Sequence, residues 1–282
     1  MEREVQFDPS EIKKLFKPDG LSKNGQITII GGSTLFHGAP LFSLTTASRI
    51  IDMVFFSSPE PYISDIANKL KSELFSFIWV PWDEIDDYVV KSDAILIGPG
   101  LMRYRTERNE NTRPEADDEA SDFTKRITKD LLQKFPDKKW VIDAGSLQVL
   151  EKEWIPKESI LTPNSREYTR LFGNADPLEI SNLYNCTVVL KGVQDQICSE
   201  GSCILVGGGN AGLSKGGTGD TLAGLVTALY SKNPAALSAS VASYVVKKAG
   251  DELYKKVRTN FNADDLARKV PEVLGDLQNN KY

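Results

Sequence analysis

The segment with the clearest chemical potential is a glycine-rich run that ends in an acidic residue and leads into an apolar stretch. It reads Gly216-Gly217-Thr218-Gly219-Asp220 and is followed by TLAGLVTALY. Glycines let backbone N–H groups approach a ligand closely, and the first turn of a helix adds unpaired N–H groups and the positive end of its dipole. The run predicts an anion-binding loop suited to phosphate, with Asp220 placed to accept a proton from a substrate hydroxyl.

A purely structural interpretation of this run also exists. Asp220 could be the N-cap of a helix that follows a glycine turn, a position that aspartate favours. The run is not a Walker A sequence, because no Gly-Lys-Ser/Thr follows it. The full pattern, with Lys191-Gly192 about 25 residues upstream, favours the functional interpretation.

Other glycine- or proline-bearing turns follow predicted strands. They are 31–33 (GGS), with 38–40 (GAP) opening the next helix, 98–100 (GPG) and 162–164 (TPN), with Glu167 one turn into the helix that follows. Each alone usually marks a turn. Because ligands bind beyond the carboxyl ends of the strands in open α/β sheets, we expect these turns to converge on one site.

A parallel sheet flanked by helices must position these loops, since short apolar runs alternate with longer helical patterns. Several of the apolar runs are continuous, which is typical of strands that are covered on both faces. Strands are predicted at 27–30, 53–56, 77–80, 94–97, 140–142, 160–161 and 187–190. Helices are predicted at 39–51, 64–73, 122–135, 166–172, 221–230, 235–254 and 263–274.

The remaining segments complete a single predicted domain over 1–282. Strands at 196–199 and 202–206 flank Glu200-Gly201 and predict a hairpin that forms an antiparallel edge of the sheet. Residues 104–121 are strongly charged and nearly free of aliphatic side chains, so we expect a mobile surface loop there. Residues 1–24 are expected to be an N-terminal extension.

Composition narrows the functional class. The net charge of −5 argues against a nucleic-acid or anionic-membrane partner. The N-terminus lacks the apolar core of a signal peptide, and no apolar run reaches the ~20 residues of a membrane span, so we expect a cytoplasmic protein. Cys186, Cys198 and Cys203 lack metal-type spacing and are predicted to be free thiols in a reducing compartment.

Six segments, in this order, resemble the NAD(P)H-hydrate dehydratases of the ribokinase-like superfamily. They are GGSTLFHGAP (31–40), ILIGPGL (95–101), VIDAGSL (141–147), LTPNSREYTRLFG (161–173), VVLKGVQD (188–195) and GGTGDTLAGL (216–225). The resemblance implies a three-layer αβα sandwich with a mostly parallel central sheet. It also implies that ATP or ADP, with Mg²⁺, drives the dehydration of hydrated NADH or NADPH by phosphorylating the added hydroxyl and eliminating it as phosphate.

The resemblance further implies roles for individual residues. Asp220 matches the catalytic aspartate of the family, and the substrate would also contact Ala39, Gly100 and Asn164. The nucleotide site would be formed by Lys191, Gly192, Val193, Gln194 and Asp195 together with Gly216, Gly217, Thr218 and Gly219. Metal ligands are not identified by the sequence.

Two departures from the family pattern bear on substrate identity rather than on activity. Met102 stands where a glycine is common, and Gly145 stands where an aspartate or a similar polar residue is usual. Many members also carry an N-terminal epimerase domain. Only about 25 residues precede the first predicted core strand, so we expect any epimerase activity on a separate chain.

Two other functions remain open from the sequence. A small-molecule kinase for a vitamin precursor or a sugar would use the same Asp220 and glycine loop, and would release a stable phosphoester. A catalytically inactive nucleotide-binding regulator would bind ATP or ADP without turnover. Assembly into a homo-oligomer is possible in each case.

Overall fold

A mostly parallel sheet runs through the protein, and the computed structural model describes residues 4–18, 23–102 and 119–279 of the chain. In these residues the sheet has ten strands in the order β1-β10-β9-β8-β7-β6-β5-β2-β3-β4. Strand β9 runs antiparallel to both of its neighbours, and the other pairs are parallel. The strands are β1 (Glu4–Gln6), β2 (Gln26–Ile30), β3 (Met53–Ser57), β4 (Ile78–Trp79), β5 (Ala94–Ile97), β6 (Lys139–Ile142), β7 (Ile160–Leu161), β8 (Thr187–Leu190), β9 (Asp195–Ser199) and β10 (Ser202–Val206).

Helices cover both faces of this sheet and give the predicted three layers. Neighbouring residues of a strand point into different cores, so that Leu96 packs with α1, α8, α9 and α10 while Ile95 packs with α4 and α6. None of the described helices is both long and apolar enough to cross a membrane. The helices are α1 (Gly38–Ala47), α2 (Tyr62–Leu70), α3 (Ile85–Lys91), α4 (Glu119–Lys134), α5 (Ala144–Val149), α6 (Ser165–Phe172), α7 (Pro177–Tyr184), α8 (Thr218–Tyr230), α9 (Ala235–Val257) and α10 (Ala263–Gln278).

The N-terminal segment contributes to the sheet, which the sequence did not predict. Strand β1 pairs in parallel with β10, and Ile12 and Leu15 are buried in the core that includes α9 and α10. The predicted hairpin at 196–206 is confirmed, but its position at the edge of the sheet is wrong, because β1 lies outside β10. Strand β1 is three exposed residues with a charge, too short to show an alternating pattern.

The predicted charged loop ends earlier than expected. Residues 104–118 lie outside the described residues, and 119–121 are the first residues of α4, so the loop prediction is wrong for them. Glu119 and Asp122 lie in the first turn of that helix. Acidic side chains stabilise a helix N-terminus, so the charge that suggested a loop instead favours the start of a helix.

The prediction of three free thiols is wrong for two of the cysteines. Cys198 and Cys203 form a disulfide between β9 and β10, whereas Cys186 is free and buried. Burial raises the pKa of the Cys186 thiol to about 12. Cys198 and Cys203 are directly paired in the register of the antiparallel strands. The predicted hairpin already implied that pairing, and the register was the signal that the spacing argument overlooked.

Candidate active site

The glycine run forms the start of α8, as the sequence predicted. Gly217 is the N-cap residue, with a φ of 91° that favours glycine. A Cβ on Gly217 would also lie 2.5 Å from the Phe42 ring and 2.6 Å from Cβ of Ala263. Asp220 lies in the first turn of the helix rather than at the cap. The interpretation of Asp220 as an N-cap is therefore wrong.

Close packing of α8 against α1 brings the predicted substrate loop beside Asp220. A Cβ on Gly224 would lie 2.5 Å from the carbonyl oxygen of Ser43, so only glycine allows this approach. The Ser43 hydroxyl donates a hydrogen bond of 2.7 Å to the backbone oxygen of Asp220. Ala39 is half-buried one turn before Ser43 on the same face of α1. Ala39 therefore lies on the α1 face that packs against the start of α8.

A buried ion pair lies beneath the start of α8. Lys191 Nζ is 3.0 Å from Asp143 Oδ1, and the two side chains are 19% and 2% exposed. The Thr162 hydroxyl donates to the same Asp143 oxygen over 2.8 Å. Lys191 Nζ would lie 3.4 Å from a Cβ on Gly219, so the ammonium group sits directly against the glycine loop.

Burial and neighbouring charges shift the pKa of Asp220. Burial raises the pKa of Asp220 to about 7, the negative charge of Asp143 adds to the rise, and Lys191 opposes it. Burial alone would lower the pKa of Lys191, but Asp143, Glu167 and Asp220 outweigh it and raise that pKa. A carboxyl group with a pKa near neutral is suited to accepting a proton from a substrate hydroxyl.

Asn164 and Glu167 form the N-terminus of α6 next to this pair. Asn164 Oδ1 accepts hydrogen bonds from the backbone N–H groups of Arg166 and Glu167, and Glu167 Oε2 accepts from the Asn164 N–H. Gln148 donates to the other Glu167 oxygen over 2.9 Å. Asn164, a predicted substrate contact, thus also has a structural task as a helix cap.

The glycine- and proline-bearing strand ends converge, as predicted. The N–H of Gly32 donates to the carbonyl of Pro99 over 2.8 Å, which joins the ends of β2 and β5. A Cβ on Gly100 would lie 2.2 Å from the Phe36 carbonyl oxygen, and φ at Gly100 is 74°. The N–H of Lys191 donates to the carbonyl of Pro163 over 2.9 Å, which joins the ends of β7 and β8.

The predicted nucleotide-binding loop, residues 191–195, divides into exposed and buried parts. Val193 is 95% exposed, whereas Asp195 is buried and paired with Lys247 of α9. The Gly192 N–H donates to Asp195 Oδ1 over 2.8 Å. Gln194 donates to Gln6 of β1. The structure therefore brings Lys191 to the start of α8, while the Asp195 side chain fixes the loop from behind.

Gly216, the first residue of the glycine run before α8, has open space beside it. A Cβ on Gly216 would meet nothing within 4 Å.

One site residue was not singled out by the sequence reasoning. Asp143 follows β6 directly, and a polar residue at the carboxyl end of a buried strand was the signal that could have found it. Its partner Thr162 belongs to the predicted turn 162–164. Gly145, a departure from the family pattern, has a structural cause. A Cβ there would lie 2.2 Å from the carbonyl oxygen of Leu101, so this backbone excludes an aspartate at that position.

Within 4–18, 23–102 and 119–279, no group of three or more His, Cys, Asp or Glu could hold a metal ion.

Solved structures resemble this fold over nearly its whole length. A ribokinase-like superfamily protein from Enterococcus faecalis V583 aligns with a TM-score of 0.82 at 20% identity, covering 99% of this chain and 98% of its own. An ADP/ATP-dependent NAD(P)H-hydrate dehydratase from Bacillus subtilis aligns with a TM-score of 0.77 at 23% identity, covering 98% of this chain and 100% of its own. The fold is therefore ribokinase-like, as the sequence resemblance implied.

Relatives with similar sequences narrow the assignment of the chain from a fold to one family. A bifunctional NAD(P)H-hydrate repair enzyme from Methanocaldococcus jannaschii is 33% identical over 95% of this chain and 52% of its own length. The chain thus spans about half the length of this relative. An ATP-dependent (S)-NAD(P)H-hydrate dehydratase from Drosophila pseudoobscura is 29% identical over 93% of this chain and 90% of its own length. The sequence profile described as NAD(P)H-hydrate dehydratase matches residues 27–272, and the chain belongs to that family.

Proposed function

We propose that this protein dehydrates hydrated NADH and NADPH, in the S form, with ATP or ADP as phosphoryl donor. The observation that carries the proposal is Asp220, half-buried in the first turn of α8 with a pKa raised to about 7. Lys191 lies next to it and against Gly219. A proton acceptor, an ammonium group and helix N–H groups at one point are what phosphoryl transfer to a hydroxyl requires.

In the proposed reaction Asp220 takes the proton of the substrate hydroxyl while that oxygen bonds to the terminal phosphorus of the nucleotide. The bond from this phosphorus to the bridging oxygen breaks, which releases ADP from ATP or AMP from ADP. The phosphoester then loses phosphate with the C–O electron pair, and a ring proton leaves to restore the double bond. The backbone of Gly219 and the charge of Lys191 stabilise the negative charge that develops on the transferring group.

Further residues complete the proposed binding sites. Ala39, Gly100 and Asn164 contact the dinucleotide substrate, and the nucleotide lies along Lys191, Gly192, Val193, Gln194, Asp195, Gly216, Gly217, Thr218 and Gly219. Mg²⁺ arrives with the nucleotide phosphates. Asp195 acts through its backbone and through the shape of the loop, because its side chain is engaged with Lys247.

The biological setting is part of the proposal. We place the protein in the cytoplasm, because the NADH and NADPH that it repairs are intracellular cofactors. Residues 1–282 act as one domain. We also propose that any epimerase activity that accompanies this reaction lies outside residues 1–282.

The test is recovery of reduced-nicotinamide absorbance from chemically prepared NADPH hydrate with Mg²⁺ and either ATP or ADP. We expect nucleotide-dependent recovery with one phosphate released per molecule restored. Asp220→Asn should abolish it, and Asp137→Asn, an exposed carboxylate in the α4–β6 connection, should not. A stable phosphoester instead of restored NADPH would identify a small-molecule kinase, and nucleotide binding without turnover would identify a regulator.

A further inference from the structure

Three polar residues form one stripe along α9, a helix whose buried residues are otherwise mostly apolar. Ser243, Lys247 and Asp251 follow each other at four-residue intervals and therefore share one face of the helix. Buried polar groups cost free energy unless each has a partner. The contacts of these three side chains therefore show what the stripe does.

The first half of the stripe holds the 191–195 loop from behind. Lys247 Nζ donates to the carbonyl oxygens of Gly192 and Val193 over 3.0 and 2.9 Å. It also lies 3.3 Å from Asp195 Oδ1, and both side chains of this pair are 7% exposed. The Ser243 hydroxyl donates to the other Asp195 oxygen. Lys247 and Ser243 thus fix both the backbone and the anchoring carboxylate of this loop.

The second half of the stripe holds the glycine-rich segment that leads to α8. Asp251 accepts hydrogen bonds from the Gly209 N–H over 3.0 Å and from the Asn210 side-chain amide over 3.1 Å. Asn210 in turn accepts from the Gly212 N–H over 2.9 Å. Gly208 and Gly209 have φ values of 88° and 82°, a backbone conformation that favours glycine. The contacts with Asp251 hold this segment in that conformation.

We propose that Ser243, Lys247 and Asp251 are positioning residues for the nucleotide, because one rigid helix sets both loops that would enclose it. The inference rests on the proposed function only in that a nucleotide lies between the 191–195 loop and the glycine-rich segment 207–219. By contacting both loops, the stripe fixes their separation. An apolar stripe would bury the helix equally well and leave both loops unanchored.

The test compares nucleotide affinity with substrate kinetics in the full chain. Lys247→Met and Asp251→Ala are matched with Lys256→Met, an exposed lysine of the same helix. We expect the Kd of Mg·ADP or Mg·ATP, measured by titration calorimetry, to rise about tenfold in Lys247→Met and about threefold in Asp251→Ala. The KM for the hydrated dinucleotide and kcat at saturating nucleotide should stay within about twofold. Lys256→Met should match the wild type.

Each result decides the matter. An unchanged nucleotide Kd in a folded variant overturns the inference, and so does an equal loss of affinity for nucleotide and substrate, which would indicate a merely structural stripe. Asp251→Ala decides if Lys247→Met fails to fold, because Asp251 is only half-buried. Nucleotide titration needs no hydrated substrate, so an absent dehydratase reaction leaves this inference standing. A wild-type chain that binds neither nucleotide overturns both.

Discussion

Two lysine–aspartate pairs meet the 191–195 loop from different sides, and they are satisfied to different degrees. In the pair of Lys247 and Asp195, both carboxylate oxygens and the ammonium group have partners. Lys191 and Asp143 are also paired, yet Asp220 adds a second carboxylate that repels Asp143. We call the Lys247–Asp195 pair the closed pair. We call the Lys191–Asp143 pair the open pair, because Asp220 gives it an excess of negative charge.

This difference gives the two pairs different roles. The closed pair stabilises the loop, and the open pair is available for the reaction. A closed buried pair is strongly destabilising to break, because removing one partner leaves an uncompensated charge. In the open pair, Asp143, Glu167 and Asp220 share the single ammonium group of Lys191, as the raised pKa values of Lys191 and Asp220 indicate. The open pair is therefore the one placed to respond to a bound ligand.

The largest effect is expected from Asp220→Asn, which removes the proposed proton acceptor. Because a positioned general base contributes about 10²- to 10⁴-fold, kcat for dehydration should fall by that factor while the nucleotide Kd changes little. Asp195→Asn in the closed pair should reduce kcat at saturating nucleotide far less. Steady-state kinetics with NADPH hydrate measure both variants. A fall of less than tenfold in Asp220→Asn would remove Asp220 from the chemical step.

Lys191→Met should give the next largest effect and should also move the pH profile. Loss of a charge that stabilises the transferring group costs about 10²-fold in kcat/KM. Lys191 also lowers the pKa of Asp220, so without it the acidic limb of kcat/KM should move to higher pH. Lys247→Met, in the closed pair, should leave that limb in place. Coincident pH profiles for the wild type and Lys191→Met would contradict the assignment of Asp220 to the acidic limb.

Asp143→Asn should shift the same limb in the opposite direction with a smaller loss of activity. The charge of Asp143 raises the pKa of Asp220, so its removal should let Asp220 stay ionised at lower pH. Asparagine keeps an oxygen that can accept from Thr162. The measurement is kcat/KM between pH 5 and 9, with Asp137→Asn as the control for an exposed carboxylate. A limb that moves to higher pH would show that Asp143 acts on Asp220 mainly through Lys191.

Much of the sheet could be predicted because its strands are continuous apolar runs bounded by turn residues. The predicted bounds of β5, β7, β8 and β10 agree with the structure. Strand β1 and helices α3, α5 and α7 were missed, because they are short and become ordered through neighbours distant in the sequence. Local pattern alone could not supply those contacts.

The same distinction between local pattern and distant contacts applies to the site. Glycines indicated the start of α8 and the strand ends, because the close approaches at Gly217, Gly224 and Gly100 exclude any other residue. The partners of these loops were not visible. Pairing of Lys191 with Asp143, and of Asp195 with Lys247, depends on which strands and helices become neighbours, and no spacing along the chain encodes that.

The last expected effect is on stability, and its sign should differ between the two pairs. The folded-state pKa of Asp220 lies near 7, above its ordinary value of 3.8, so the native state binds more protons than the unfolded state between those values. Stability therefore falls as pH rises through that window. Asp220→Asn removes this penalty and should raise Tm at pH 8, with no gain near pH 4.

Asp195→Asn should instead lower Tm at pH 8, because it leaves the Lys247 ammonium buried without a counter-charge, a loss of about 3–5 kcal/mol. Thermal denaturation of both variants at pH 8, and of Asp220→Asn at pH 4, makes the comparison. A lower Tm for both variants at pH 8 would show that Asp220 is as fully satisfied as Asp195. The distinction between an open and a closed pair would then fail, since an aspartate held at a cost in stability is what marks the open pair as the chemical one.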